Sequence, residues 1–147
     1  MPFKLEWGQR FDTFGNVLAI LCNIAGQTRS NKIIDHVIKN NINKPFPITA
    51  LSPVVEKKDK DWEEIYDLKE KPFEYHNGGI WSFISCFYAL ALKKINLKEE
   101  AEKELEKIAY ANSLDNWRFS EWFDGKDGNE RGMRGQSWNA GAFLYAN

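Results

Sequence analysis

The sequence has few of the residues on which metal and redox chemistry depend. It holds two cysteines and two histidines in 147 residues, and they do not fall into a Cys–His metal-ligand spacing. No glycine-rich phosphate loop and no Gly-x-Ser-x-Gly nucleophile motif is present. We therefore expect neither a bound metal ion nor a cofactor.

Long apolar runs and an excess of one charge are also missing. No apolar stretch approaches the about 18 residues that a membrane span needs, and the start MPFKLEWGQRFD has no signal-peptide core. Lysine plus arginine number 20 and aspartate plus glutamate 21, so the net charge is −1. Proteins that bind nucleic acid or an anionic membrane usually carry an excess of positive charge, and this balance excludes such an excess. Because Cys22 and Cys86 lie in apolar segments, we interpret both as reduced core thiols and expect a cytoplasmic protein.

Apolar residues, at 43%, and aromatic residues, at 14%, are plentiful enough for a packed core in one domain spanning residues 1–147. Some predicted helices are apolar on nearly all sides and others have a single apolar stripe, and the two kinds alternate. The first kind comprises 14–25, 79–94 and 136–147, and the second comprises 31–41, capped by Ser30, and 99–112. Residues 43–75, between the predicted helices 31–41 and 79–94, are expected to be irregular. The sequence thus predicts an all-α fold, an incomplete toroid of about five helices in alternating inner and outer layers, with an open apolar face.

Stretches rich in glycine, aromatic and polar residues precede the nearly all-apolar helices. They are WGQRFDTFGN (7–16), YHNGGIW (75–81), and NWRFSEWFDG (116–125) continuing to GMRGQSWNAG (132–141). In a two-layer ring of helices, the loops before the inner helices would cluster at one mouth. Aromatic rings stack on the C–H faces of a sugar, and amides and carboxylates hydrogen-bond its hydroxyl groups. The pattern therefore favours a carbohydrate-binding site.

Several polar residues admit more than one interpretation. Glu121 lies among four aromatic residues, so it either has a function or faces water at a turn. His76 fits a sugar ligand or a structural histidine equally well, whereas His36 is expected on the surface. The acidic residues of the last loop lack the alternating spacing of a calcium site and are expected in a solvated turn. They are Asp124, Asp127 and Glu130.

The sequence resembles the C-terminal part of the six-hairpin (α/α)₆ glycoside hydrolases. The motifs that carry the resemblance are RFDTFGNVLAIL, PFEYHNGGIWSF and FSEWFDGKDGNERGMRGQSWNAGAFLYA, and with the helices between them they cover almost the whole chain. The chain is similar to the alkaline and neutral invertases, the mannosylglycerate or glucosylglycerate hydrolases, and the amylo-α-1,6-glucosidase-like proteins. The resemblance implies six inner and six outer helices and inverting hydrolysis of α-glycosidic bonds by two carboxylates.

The resemblance also implies roles for particular residues. Glu121 takes the position of the catalytic general base. The Tyr-His-Asn-Gly-Gly segment lines the sugar subsite, and the Gln-Ser-Trp segment lies at the mouth before the last inner helix. The substrate-binding candidates are His76, Asn77, Gly78, Trp81, Trp122, Gln136, Trp138 and Asp12.

The general acid that the resemblance implies is an aspartate in the N-terminal half of the toroid, upstream of every motif in this chain. Asp12 is the one local candidate for a substitute. We therefore expect part of an inverting glycoside hydrolase that acts on an α-glucoside or α-mannoside. Its N-terminal half is either a separate N-terminal half on another polypeptide or a part of the same protein that was cut away. The alternative is a non-catalytic sugar-binding or assembly protein that forms a homodimer through its open face. An N-acylglucosamine epimerase ranks last, because it needs paired histidines at the mouth and only His76 is placed there.

Overall fold

The computed structural model describes residues 9–114 and 116–147. The first two residues of the 7–16 stretch lie outside this part of the chain. The helices are α1 (Thr13–Leu21), α2 (Gln27–Lys39), α3 (Tyr66–Lys69), α4 (Ser82–Lys94), α5 (Lys98–Leu114) and α6 (Ser137–Ala146). The strands are β1 (Phe11–Asp12), β2 (Leu51–Ser52), β3 (Trp122–Phe123) and β4 (Glu130–Arg131). The all-α prediction is confirmed, and the five longer helices correspond to the five expected ones.

Helix α4 forms the centre of the fold. It contacts α1, α5 and α6, and eight of its 13 residues are buried. In α2, by contrast, the buried residues are Ser30, Ile34 and Val37, which lie three or four positions apart and so share one face. The nearly all-apolar α4 is therefore a central helix, and the one-stripe α2 is a covering helix.

Helix α6 is apolar but largely uncovered. Of its ten residues, Asn139 and Ala146 are buried. Leu144 is 77% exposed and Tyr145 78% exposed. The helix packs against α4, and its remaining surface forms an open apolar face.

The position of Cys22 differs from the expectation. Helix α1 ends at Leu21, and Cys22 is its exposed C-cap residue. The prediction of a core thiol is therefore wrong for Cys22. Cys86 is fully buried as expected, and burial raises the pKa of its thiol to about 12.

The start of α2 also differs. Gly26 is the N-cap and the helix begins at Gln27, so the prediction that Ser30 caps it is wrong. Ser30 lies in the helix and is buried, and its hydroxyl donates a hydrogen bond to the carbonyl of Ala25 at 3.1 Å. A serine that bonds back to the preceding turn has the same sequence signature as a cap, because both uses need a short hydroxyl side chain.

Short strands join the irregular segments at the starts of the helices. β1 pairs with β2 and β3 pairs with β4, both antiparallel. Ile80 connects the two ladders, since it forms bridges with Thr49 on one side and Phe123 on the other. The segments before α1, α4 and α6 are thereby held side by side.

Glu104 anchors the irregular segment that follows α2. Its side chain is fully buried and accepts a hydrogen bond from the amide of Ile48 at 2.7 Å. Lys107, one turn along α5, forms an ion pair with Glu104 and donates to the carbonyl of Asn43 at 2.6 Å. Burial raises the pKa of the Glu104 carboxyl, and the charge of Lys107 opposes that rise. The segment from Asn43 to Ile48 is thus fixed to α5.

Candidate active site

A cleft of about 740 Å³ lies where the 75–81 loop, the start of α4, Glu121 just before β3, and α6 meet. Its lining is dominated by aromatic rings. Four of the predicted site residues, Glu121, His76, Trp81 and Trp138, line this one cleft. The full lining is Tyr75, His76, Trp81, Phe83, Phe87, Glu121, Trp138, Gly141, Ala142 and Tyr145.

Glu121 is held at the cleft by the loop that follows β4. Its backbone amide donates to the carbonyl of Met133 at 2.7 Å, and its Oε2 accepts from the amide of Met133 at 3.1 Å. Gly132 has a φ of 71°, and a Cβ at that position would lie 2.5 Å from Oε2 of Glu121. A glycine is therefore required for the backbone to approach the carboxylate this closely.

Tyr75 lines the same cleft as Glu121 from the 75–81 loop, and sequence analysis did not name it among the site residues. Burial raises the pKa of the phenol, and the negative charge of Glu121 raises it further. The available signal was its place as the first residue of the Tyr-His-Asn-Gly-Gly segment, directly before the predicted sugar contacts.

His76 and Trp81 form a stacked pair at the cleft. Their ring centroids are 4.9 Å apart and their planes are inclined by 6°. Trp81 is buried, and its indole Nε1 donates to the carbonyl of Tyr75 at 3.1 Å. His76 is exposed, so an accessible imidazole lies against a fixed indole.

Asn77, one of the predicted substrate contacts, is hydrogen-bonded to the backbone of the 55–70 segment. It is buried and is not part of the cleft lining. Its Oδ1 accepts from the amide of Val55 at 2.6 Å, and its Nδ2 donates to the carbonyls of Val55 and Glu70, each at 2.9 Å. An amide group offers two N–H donors and one acceptor oxygen, so these three bonds engage both donors and the oxygen. Asn77 therefore joins the two ends of the 55–70 excursion.

Gly78 and Trp122 support the cleft without lining it. Gly78 has a φ of 92°, and a Cβ there would lie 2.4 Å from Cγ1 of Val54. The glycine is therefore needed for packing against the segment after β2. Trp122 lies behind the cleft, with its ring centroid 6.0 Å from that of Tyr75 in an edge-to-face contact.

Gln136 and Asp12 lie at helix starts outside the cleft lining. Gln136 is the N-cap residue of α6, and its Nε2 donates to the carbonyl of Met133 at 3.3 Å. It lines a neighbouring hollow with Trp117 and Arg134. Asp12 is the N-cap of α1, and its Oδ2 accepts from the amide of Gly15 at 3.2 Å. The structure therefore does not bring Asp12 to the carboxylate of Glu121.

Two acidic side chains of the β3–β4 hairpin accept hydrogen bonds from backbone amides within the turn. Oδ1 of Asp124 accepts from the amide of Lys126, and Oδ1 of Asp127 accepts from the amide of Asn129, each at 2.8 Å. Arg131 lies 3.5 Å from both carboxylates. Within residues 9–114 and 116–147, no group of three or more acidic, histidine or cysteine side chains has a metal-binding arrangement. No helix in this part of the chain has the length and apolar character to span a bilayer.

The chain is similar to known proteins over nearly its whole length. Residues 5–147 match the family model described as "Alkaline and neutral invertase". The chain is 30% identical over 144 residues to Alkaline/neutral invertase E, chloroplastic, of Arabidopsis thaliana, an alignment that covers 93% of this chain and 23% of that protein. It is 26% identical over 152 residues to Cytosolic invertase 1 of Oryza sativa subsp. japonica, covering 99% of this chain and 26% of that protein. The chain thus spans about a quarter of the length of these relatives.

The fold is similar to that of a solved glycoside hydrolase. The GH63 mannosylglycerate hydrolase from Thermus thermophilus, whose crystal structure is in complex with glucose, superposes with a TM-score of 0.65 at 17% identity. The match covers 88% of this chain and 29% of that enzyme. The family match over nearly the whole sequence and the helical toroid arrangement agree, and the chain belongs to the alkaline and neutral invertase family.

Proposed function

We propose that this chain forms the general-base side of the active site of an inverting hydrolase of α-glycosidic bonds, with an α-glucoside or α-mannoside as substrate. In this reaction Glu121 accepts a proton from a water molecule as that water attacks the anomeric carbon. The bond to the leaving oxygen breaks at the same time, and that oxygen takes a proton from a second carboxyl group. The relatives are named invertases and the solved structural neighbour is named a mannosylglycerate hydrolase.

The observation that carries the proposal is the position of Glu121 in an aromatic cleft. The amide of Met133 donates to its carboxylate, while Tyr75, Trp81 and Trp138 line the same cleft. The exposed indole of Trp138 offers a flat apolar face for the C–H groups of a sugar, and the imidazole of His76 offers a hydrogen-bonding edge. The arrangement suits a sugar ring bound beside a base.

The general acid belongs, in this proposal, to the N-terminal half of the toroid. In the part of the chain that the structure describes, Glu121 is the only carboxylate in the cleft lining. An inverting pair needs carboxyl groups about 6.5–9.5 Å apart, and the Asp12 carboxylate caps α1 instead. In this proposal the acid lies outside the described residues, in the N-terminal half of the toroid, and a carbohydrate is the ligand that both halves share.

The test compares Glu121→Gln with Glu130→Gln in an active assembly of this chain with the N-terminal half of a family member. Glu130 lies on the same hairpin, pairs with Arg134 and is absent from the cleft lining, so it is a matched control. We expect Glu121→Gln to lower kcat by about 10²–10⁴-fold and to leave sugar binding, followed by tryptophan fluorescence, nearly unchanged. Equal turnover in the two variants would remove Glu121 from the mechanism.

A second candidate function rests on the open face of α6. Leu144 and Tyr145 are each more than three-quarters exposed, and Trp138 beside them is 51% exposed. Exposed apolar surface of this kind favours association, and a second copy of the chain would give a sugar-binding homodimer without turnover. Light scattering across protein concentration separates the two: a stable dimer near twice 17.1 kDa favours the homodimer, and a monomer favours the separate N-terminal half.

A further inference from the structure

Building on the proposed function, we propose that Asn139 is a positioning residue, whose side-chain amide fixes the backbone of Glu121 and thereby places its carboxylate in the cleft. Asn139 lies in the first turn of α6 and is fully buried. It is not part of the cleft lining. It can therefore act on the reaction only through the residues that it holds.

The side chain of Asn139 joins three segments of the chain. Its Nδ2 donates to the carbonyl of Ser120 at 2.9 Å and to the carbonyl of Glu121 at 3.1 Å. Its Oδ1 accepts from the amide of Phe83 at 3.1 Å. The reverse orientation of this amide group would set its NH₂ against an N–H and its oxygen against two carbonyls, so the partners fix the orientation. Asn139 thus links the segment before β3 and the start of α4 to α6.

The contact with α4 takes the place of an N-cap. The first four N–H groups of a helix have no partner within it, and the N-cap residue Trp81 makes no side-chain capping bond. Phe83 is the second residue of α4, and Oδ1 of Asn139 accepts from its N–H. Trp81 and Phe83 both line the cleft. One buried side chain therefore fixes both the cleft wall at the start of α4 and the backbone that carries the proposed base.

The backbone of Glu121 is held at both of its polar atoms. Its N–H donates to the carbonyl of Met133 at 2.7 Å, and its carbonyl accepts from Asn139. These bonds come from two different segments, so a shift of the Glu121 backbone away from either partner lengthens a bond. Met133 also donates from its amide to Oε2 of Glu121 at 3.1 Å, a contact that depends on where the backbone lies. Since a displacement of about 1 Å at a reacting group can lower the rate about a hundredfold, loss of the Asn139 anchor should impair the chemical step.

The first experiment tests the contact on the chain alone by NMR-detected hydrogen exchange. The Met133 amide reports on the Glu121 carboxylate, because Oε2 is its acceptor. Asn112→Ala is the matched control for Asn139→Ala, since Asn112 is also buried and its Nδ2 donates within α5 to the carbonyl of Ile108 at 2.9 Å. We expect the Met133 amide to exchange at least about tenfold faster in Asn139→Ala than in Asn112→Ala. In the unmodified chain the side-chain N–H groups of Asn139 should exchange slowly.

Two results of this experiment would overturn the proposal. One is equal exchange of the Met133 amide in the two alanine variants. The other is rapid exchange of the Asn139 side-chain N–H groups in the unmodified chain, a measurement that needs no substitution. If Asn139→Ala does not fold, Asn139→Ser, which keeps one donor and one acceptor, takes its place in the comparison.

The second experiment tests the role in the active assembly, below the thermal midpoint of every variant. We expect kcat per folded chain to fall by about ten- to hundredfold in Asn139→Ala, with KM nearly unchanged, and to fall less in Asn139→Ser. Asn112→Ala should lower the thermal midpoint but keep the unmodified kcat. If Glu121→Gln abolishes turnover and Asn139→Ala has the kcat of Asn112→Ala, the inference about Asn139 fails and the proposed function stands. If Glu121→Gln leaves turnover intact, the proposed function itself fails.

Discussion

The imidazole of His76 lies parallel to the indole of Trp81, with centroids 4.9 Å apart and planes inclined by 6°. Trp81 is the buried partner, fixed through Nε1 to the carbonyl of Tyr75. His76 is the accessible partner. A fixed ring at the base of a cleft and a polar ring at its surface form a wall that combines stacking with hydrogen bonding.

His76→Ala should uncover the face of Trp81 and weaken carbohydrate binding. Because His76 is exposed, the free energy of unfolding should change by less than about 1 kcal/mol, while acrylamide quenching of tryptophan emission should increase. His36→Ala is the matched control, since His36 is exposed and stacks on Phe11 with centroids 4.9 Å apart. Equal quenching and equal sugar affinity in both variants would argue against a wall built from His76 and Trp81.

Asn77→Ala should destabilise the chain. It would leave the amide of Val55 and the carbonyls of Val55 and Glu70 without the bonds they make now, and we expect a loss of about 2–4 kcal/mol. The measurement is urea unfolding followed by circular dichroism. Asn31→Ala, at an exposed position on α2 with one side-chain bond to Gln27, should change stability by less than about 1 kcal/mol. An Asn77 variant with full stability and lost sugar binding would restore the substrate role.

Gly132→Ala should impair turnover more than Gly135→Ala. Both glycines have positive φ values, 71° and 81°, so both substitutions strain the backbone. The new Cβ at position 132 would lie 2.5 Å from Oε2 of Glu121, whereas at position 135 no atom lies within 4 Å. We expect kcat to fall at least about tenfold further for Gly132→Ala. Similar kcat values in the two variants would show that the carboxylate tolerates displacement.

The buried carboxyl of Glu104 should make stability depend on pH. Burial raises its pKa in the folded state above the ordinary value of 4.5. The folded state therefore holds the proton more tightly, so this contribution is full below pH 4.5 and is lost as pH rises through the folded pKa. Glu104→Gln removes the titration and should gain stability relative to the unmodified chain as pH rises above 4.5. Urea unfolding of both proteins at several pH values measures this difference, and a difference that moves the other way would mean that pairing with Lys107 outweighs burial.

The helices could be predicted from the sequence because burial imposes a period on it. The nearly unbroken apolar pattern of α4 and the single stripe of α2 match their central and covering positions. Helix ends were harder to predict. Cys22 follows an apolar helix, and its exposure depends on α1 ending at Leu21, which residue type alone does not determine.

The cleft could be predicted in part. Glu121 and His76 stand out by their aromatic and glycine-rich surroundings, the family resemblance adds Trp81 and Trp138, and all four line one cleft. The position of Asn77 could not be predicted from residue type. An asparagine that joins two loop ends and an asparagine that binds a sugar have the same side chain. The partners of Asn77, Val55 and Glu70, are 22 and 7 residues away in sequence, so tertiary structure decides between the two uses.

The most direct test of the account is the anomeric form of the first product. An α-glucoside is added to the active assembly, and ¹H NMR follows the anomeric protons before mutarotation equilibrates them. With Glu121 as the base of an inverting reaction, we predict that the β-anomer of the released sugar appears first and that no product forms with Glu121→Gln. First appearance of the α-anomer, or product formation at an unchanged rate in Glu121→Gln, would contradict the central claim.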